Sequence, residues 1–166
     1  ESEKSGFAIF TGKGKCSTCH EIGESSALFT DHKFHNTGIG YRAVMLGDEI
    51  LTVPLAPGVE VKINRSEVDS FSEKLRNDIG RFAISQKPED RWAYKTAMLR
   101  SVSRTFPYMH DGSIPTLEAV VDYYNQGGVP NEALSPKIRP LGLTDTEKQD
   151  LVAFLKSLDG DEAQKR

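Results

Sequence analysis

An amphipathic helix is predicted between Pro115 and Gly127 by apolar residues at i, i+3, i+4 and i+7. These residues are Leu117, Val120, Val121 and Tyr124. The pattern turns Tyr124 toward the core. The neighbouring Tyr123 is rotated by about 100° around the helix, so only one of the two side chains can point inside.

A second helix is predicted to start at Thr144, which forms a capping-box pattern with Glu147 three residues later. One stripe of this helix is apolar. Its residues are Leu151, Phe154, Leu155 and Leu158. The helix is expected to end before Gly160, and the tail from Asp161 is expected to fray.

Two shorter helices have weaker signals. From Ser5 to Lys13 the chain places Phe7 and Phe10 one helical turn apart, which predicts a small leading helix. A short polar helix is expected between Ser66 and Leu75, where apolar residues again recur at helical intervals.

Two short runs rich in β-branched residues predict a hairpin. Residues 50–55 and 59–63 flank the turn-forming sequence Ala56-Pro57-Gly58. We find no internal repeat and no second composition regime, so residues 1–166 are expected to form one mostly helical domain. Its remaining parts would be long loops and this small peripheral β-hairpin.

Composition excludes several classes of protein. The 166 residues include 24 acidic and 21 basic side chains, for a net charge of −3, and the scattered basic residues argue against nucleic acid as a partner. No apolar run is long enough to span a membrane. The N-terminus, Glu1-Ser2-Glu3-Lys4, lacks the apolar core of a signal peptide, so we expect a mature chain or one cut from a longer protein.

The chemistry is indicated by Cys16-Ser17-Thr18-Cys19-His20, a C-x-x-C-H sequence, which is the attachment motif of a c-type haem. Two thiols one turn apart can bond the two vinyl groups of one porphyrin, and His20 is then placed to bind the iron. A thioredoxin-like site would need a βαβ pattern, and a zinc site would need a second cysteine pair. The chain has only these two cysteines, so it can hold one covalent haem in a cytochrome c-like helical domain.

The second axial position of the iron is the open question. Imidazole, thioether and phenolate side chains are the usual haem ligands. The candidates are His32, His35, His110, Met45, Met98, Met109 and Tyr124. We expect His32 to lie in solvent. His35 is expected to contact a haem propionate or a side chain that itself contacts the haem. For Tyr124, the alternative is a core tyrosine with an ordinary hydrogen bond.

Several blocks, in order along nearly the whole chain, resemble the C-terminal haem half of the bacterial dihaem cytochrome c peroxidase family, which includes MauG-like enzymes. The blocks after the haem motif are Phe34-His35-Asn36-Thr37-Gly38, Asp78-Ile79-Gly80-Arg81, Tyr94-Lys95-Thr96, Leu99-Arg100-Ser101-Val102, Thr105-Phe106-Pro107-Tyr108-Met109-His110-Asp111-Gly112-Ser113, Thr116-Leu117-Glu118-Ala119-Val120-Val121 and Leu151-Val152-Ala153-Phe154-Leu155-Lys156-Ser157-Leu158. The family commonly has Pro at the position of Ala97 and Asn at the position of Ser101. The segment 47–64 resembles an expansion.

The resemblance implies an electron-transfer haem with a distal Met or, in MauG-like members, a distal Tyr. The family position falls on Tyr124, the residue that the helical pattern already turns inward. Family members also bind calcium through backbone carbonyls, which here would be those of Thr105 and Pro107, with a side chain from a second haem half. That half, which carries the peroxide-reacting haem, is absent from this sequence.

Three functions follow as hypotheses. The first is a haem oxidoreductase module that exchanges electrons or oxidising equivalents with a peroxide-activating haem on another chain or segment. The second is a stand-alone monohaem electron carrier. The third is direct peroxidase chemistry at an open iron site, with His35 or His110 as the acid–base group. Since bacteria attach haem c outside the cytoplasmic membrane, the family implies a periplasmic location.

Overall fold

The computed structural model of the protein describes residues 1–45, 50–56, 59–64 and 78–160. Over these residues the fold is mostly helical. Its helices are Ser2–Thr11, Ile39–Met45, Phe82–Ser85, Leu117–Asn125 and Asp145–Ser157, with short 3-10 turns at Cys16–Thr18, Pro88–Asp90 and Val102–Arg104. The polar helix expected between 66 and 75 and the tail from Asp161 lie outside the described residues.

The core is built on two helices, Ser2–Thr11 and Asp145–Ser157, that pack face to face. Gly6 allows this close approach because a Cβ atom there would run into the Asp150 carbonyl group. Phe10 is fully buried and its ring lies 5.1 Å from that of Phe154. The leading helix was predicted from Ser5 to Lys13, but it begins three residues earlier, at Ser2, and ends at Thr11, after which the Gly12 amide donates to the Ala8 carbonyl.

The two helices with clear end signals form as predicted. Thr116 caps the helix Leu117–Asn125 by accepting a hydrogen bond from the Ala119 amide. Thr144 and Glu147 form the capping box that starts the helix Asp145–Ser157. The apolar faces of both helices join the core. Its buried members here are Leu117, Val121, Leu151, Val152, Phe154, Leu155 and Leu158.

Two small antiparallel sheets complete the fold. The predicted hairpin forms from Ile50–Ala56 and Val59–Asn64, with Ile50 opposite Asn64. A second pair, Phe34–His35 with Tyr94–Lys95, was not predicted, because two-residue strands leave no periodic signal. This pair joins two loops that line the functional site. No helix among the described residues is long and apolar enough to cross a bilayer.

Candidate haem-binding site

The C-x-x-C-H motif folds into a single 3-10 turn. Cys16–Thr18 form the turn, and the amides of Cys19 and His20 both bond the Cys16 carbonyl, at 3.2 and 2.9 Å. Burial raises the pKa of the Cys16 thiol to about 12 and also raises that of Cys19. A thioredoxin-like cysteine has a lowered pKa instead, so these thiols do not have the character of a dithiol redox pair.

His20 is oriented by the backbone. Its Nδ1 lies 2.8 Å from the Phe29 carbonyl oxygen. Because a carbonyl can only accept, Nδ1 carries the hydrogen and, in the neutral ring, the lone pair lies on Nε2. Burial lowers the pKa of His20 and so favours the neutral imidazole. This is the arrangement of a metal-binding histidine whose second nitrogen is held by a hydrogen bond.

Both thiols and His20 line a cavity of about 480 Å³, which lies within the usual size range of cofactor sites. The helix faces described above supply much of its apolar wall. The candidate residues that reach it are His35, Met98, Thr105, Pro107, Met109, His110 and Tyr124. His32 and Met45 are exposed and are not among the lining residues, which agrees with the solvent position expected for His32.

Tyr124 enters the cavity from the helix Leu117–Asn125. Burial raises the pKa of its phenol, which is therefore neutral. Within the described part of the chain, no hydrogen bond to the Tyr124 hydroxyl is formed. Tyr123 does not line the cavity, and its hydroxyl donates to the Thr37 carbonyl at 2.7 Å. The two tyrosines thus have the different orientations that the helical period predicts.

His35 is held by a carboxylate that the sequence did not single out. Its Nε2 lies 2.7 Å from an oxygen of Asp31, whose side chain is fully buried. The ammonium group of Lys137 lies 3.8 Å from the same oxygen and donates to the carbonyl of Thr18, within the C-x-x-C-H motif. These contacts leave Nδ1 of His35 as the nitrogen available to a ligand in the cavity.

The Asp31 carboxylate is ionised in this environment. Burial raises its pKa, but hydrogen bonds from His35 and from the Lys33 amide outweigh burial, and the net pKa lies well below its ordinary value. Asp31, His35 and Cys19 offer donor atoms within 4.8 Å of one another. Since Asp31 and His35 already bond each other, this group is better explained as a brace between loops than as a metal site.

His110 occupies another part of the cavity wall. Its ring stacks on Tyr94 with centroids 3.4 Å apart and an angle of 13° between the planes. Nε2 of His110 lies 3.5 Å from an oxygen of Asp78. Burial lowers the pKa of His110, so the imidazole is predominantly neutral near pH 7. In the sequence, Tyr94 stands out only as part of the block Tyr94-Lys95-Thr96, and no local pattern predicts that it stacks on His110.

The residues present fit a c-type haem. Two thiols separated by one turn and a neutral imidazole with a free Nε2 face an apolar cavity of suitable volume. Tyr124 lines the same cavity, and its hydroxyl, which forms no hydrogen bond among the described residues, would be available as a second ligand. A zinc site does not fit, because no second cysteine pair exists in the sequence.

No protein-family profile matches the chain. It is 40% identical over 159 residues to the cytochrome-c peroxidase IdrP2 of Denitromonas iodatirespirans, across 96% of this chain and 40% of that protein. It is 35% identical over 162 residues to the methylamine utilization protein MauG of Methylorubrum extorquens, across 96% of this chain and 35% of MauG.

The fold is similar to that of a MauG-like protein associated with microbial copper homeostasis, with a TM-score of 0.68 and 28% identity. This match covers 98% of the chain and 48% of that protein. The chain therefore spans less than half the length of each of these relatives.

Proposed function

Since the chain is homologous over nearly its whole length to part of the cytochrome-c peroxidases and MauG proteins, we propose that it is a haem c electron-transfer module of this family. Cys16 and Cys19 attach the haem, and His20 and Tyr124 are its axial ligands. The module passes electrons or oxidising equivalents to a second haem that reacts with peroxide.

The observation that carries this proposal is the shared cavity. The two thiols, the imidazole and the Tyr124 phenol all line it, and the phenol has no hydrogen-bond partner among the described residues. Iron ligation would give the phenol oxygen a partner, whereas an ordinary core tyrosine would be expected to find a protein acceptor.

The bound haem would supply one-electron redox chemistry at its iron. The chain's own residues would determine the relative stability of ferric and ferrous iron. The Phe29 carbonyl keeps the His20 imidazole in one tautomer. Tyr124 must lose its proton to become a phenolate, and burial opposes this by raising its pKa, so a cation in the cavity is needed to offset it. A phenolate favours the ferric state and lowers the reduction potential relative to a thioether.

The remaining features of the family extend this proposal. Because the chain spans 40% of IdrP2, we propose that the peroxide-reacting haem lies on a further segment or on a partner chain. Calcium would be held by the backbone carbonyls of Thr105 and Pro107 together with groups from that second half. Both residues are exposed at the cavity. Since bacteria attach haem c outside the cytoplasmic membrane, we also propose a periplasmic location.

The proposal is tested by electron paramagnetic resonance of the ferric holoprotein. We expect a low-spin signal of the His/Tyr type. Tyr124→Phe should remove this signal while haem stays attached, because both thiols and His20 remain. The matched control is Tyr123→Phe, the adjacent tyrosine that bonds Thr37, which should keep the signal.

An unchanged spectrum in Tyr124→Phe would remove Tyr124 as a ligand. Met109→Leu would then show whether the thioether of Met109, which also lines the cavity, takes its place. Stable haem ligation in His20→Ala would overturn the assignment of the proximal ligand.

A second candidate function is direct peroxidase chemistry at this haem. It is favoured by His110, which lines the cavity in its neutral form and could accept a proton there. A high-spin ferric signal from the unmodified holoprotein, together with reaction with peroxide in the absence of other proteins, would favour this function. A low-spin spectrum without such a reaction would exclude it.

A further inference from the structure

The backbone at Phe29 is strained where it contacts the proximal histidine. Phe29 has a φ of 57°, in the left-handed region that bulky residues rarely adopt. Such a conformation is energetically unfavourable and persists only where the surrounding structure fixes it. Its carbonyl is the group that accepts the hydrogen bond from Nδ1 of His20. The residues that hold Phe29 therefore also determine how His20 is held.

Part of this restraint is apolar. The Phe29 ring is 5% exposed and packs edge-on against Phe10, with centroids 5.8 Å apart. A second edge-on contact joins it to Phe154 at 6.3 Å. These contacts fix the ring. They leave the peptide groups on either side to be fixed by other bonds.

Those bonds come from residues 96–100. The Arg100 Nε donates to the Ala27 carbonyl at 2.7 Å. The Leu99 amide donates to the Leu28 carbonyl at 3.4 Å. Beyond Phe29, the Thr30 hydroxyl donates to the Thr96 carbonyl at 2.8 Å. The strained residue thus lies between bonded neighbours on both sides.

Arg100 differs from Thr96 and Leu99 because it contacts both the backbone of residues 27–29 and the ring of Phe29. Its guanidinium carbon lies 5.2 Å from the centre of the Phe29 ring, which is a cation–π distance. A hydrogen bond from a charged donor is also stronger than one between neutral groups. Residues 21–26, which link His20 to residues 27–29, are exposed, so burial does not fix the position of residues 21–26.

We propose that Arg100 is a positioning residue for the proximal haem ligand. It holds residues 27–29 so that the Phe29 carbonyl stays within hydrogen-bond distance of His20 Nδ1. The inference rests on the proposed function only in that His20 binds the haem iron. It does not depend on Tyr124 as the second ligand or on reaction with peroxide.

The expected effect follows from the electron donation of the imidazole. A strong hydrogen bond from Nδ1 makes a histidine a more basic ligand, which favours ferric iron. Loss of the Arg100 contacts should weaken that bond. At a fixed potential, the ratio of ferric to ferrous protein should then fall by about fivefold, the effect of one ordinary hydrogen bond.

The test uses the holoprotein and compares Arg100→Met, Arg100→Lys and Arg81→Met by spectroelectrochemical titration. Methionine keeps the length of the side chain and removes the donor, whereas lysine keeps the charge and a donor. Arg81 is a matched control, because its Nε also bonds an acceptor, Asp90 at 3.0 Å, and its guanidinium lies over a phenylalanine ring, Phe34 at 4.4 Å.

We expect Arg100→Met to raise the reduction potential. Arg100→Lys should have a potential close to that of the wild type, and Arg81→Met should have the wild-type value. Nuclear magnetic resonance of the ferrous protein should show faster exchange of the His20 Nδ1 hydrogen in Arg100→Met alone. Since Arg100 is exposed, the variant is expected to fold.

An unchanged potential and exchange rate in Arg100→Met would overturn the inference, as would an equal shift in Arg81→Met. If Arg100→Met does not fold, a wild-type potential in Arg100→Lys with a wild-type exchange rate supports the inference, and an equal loss of folding in Arg81→Met refutes it. Failure of the unmodified chain to bind haem would instead refute the proposed function.

Discussion

The helical core and the loops that complete the cavity are held by different kinds of contact. Where the helices Ser2–Thr11 and Asp145–Ser157 meet, the contacts are mainly apolar, such as the rings of Phe10 and Phe154. The loops are joined instead by single polar atoms with specific partners, such as Asp31 with His35. Core contacts are spread over many atoms, whereas each loop contact depends on one donor and one acceptor.

The largest effect is expected where the core has no space. Gly6→Ala should destabilise the protein by about 3 kcal/mol or more, because the new methyl group would run into the Asp150 carbonyl and force the helices apart. Helix propensity alone predicts a gain in stability of about 1 kcal/mol, so the sign of the change in the free energy of unfolding separates the two effects. Chemical denaturation measures this free energy. The control is Gly160→Ala, where a methyl group meets no atom within 4 Å. A gain in stability for Gly6→Ala would contradict the close helix contact.

A smaller loss is expected in the loops. Asn36 is 2% exposed, and its side chain bonds the Arg91 carbonyl, the Asn131 side chain and the Gly38 amide. Asn36→Ala should cost about 2 kcal/mol, since it leaves buried partners unpaired. Denaturation of the holoprotein gives the value. The exposed Gln126 supplies a neutral control as Gln126→Ala. Equal midpoints for the two variants would show that the loops do not depend on single polar contacts.

The third effect is a dependence on pH. The folded-state pKa of Asp31 lies below its ordinary value of 3.8, so the unfolded chain takes up a proton first as pH falls. The stabilisation from Asp31 is therefore complete above about pH 4 and is lost progressively at lower pH. Urea midpoints between pH 7 and pH 3 should fall less steeply in Asp31→Asn than in the wild type.

Asp145→Asn is the control for this measurement. Asp145 is also paired with a lysine, Lys148 at 2.9 Å, but its side chain is 91% exposed, and exposed ion pairs contribute little. A slope as steep in Asp31→Asn as in the wild type would assign the acid sensitivity to other carboxylates.

The contrast between core and loops also explains how much could be predicted from the sequence. The helices Leu117–Asn125 and Asp145–Ser157 follow from apolar spacing and capping residues, which are local signals. The hairpin from Ile50 to Asn64 follows from β-rich runs around a turn. The inward position of Tyr124 is a consequence of the same helical period.

The loop contacts could not be predicted in this way. Asp31 and Lys137 meet only after the chain has folded, and no spacing in the sequence indicates that pair. The stack of His110 on Tyr94 and the bond from Arg100 to Ala27 also join segments that are distant in sequence. The haem motif and the loop candidates were recognised from residue type. Their partners required the tertiary structure.

The packing of Gly6 against Asp150 has a consequence for when the cavity can be completed during synthesis and folding. The Cys16–Thr18 turn is synthesised more than 100 residues before the helix Asp145–Ser157, whose Leu151 and Leu155 form part of the cavity wall. A chain synthesised only as far as Leu143 already carries Cys16 and Cys19 but has no complete cavity. Closing this fold requires contacts between distant segments, which form late. The cavity is therefore complete only after the last helix has packed against the helix Ser2–Thr11.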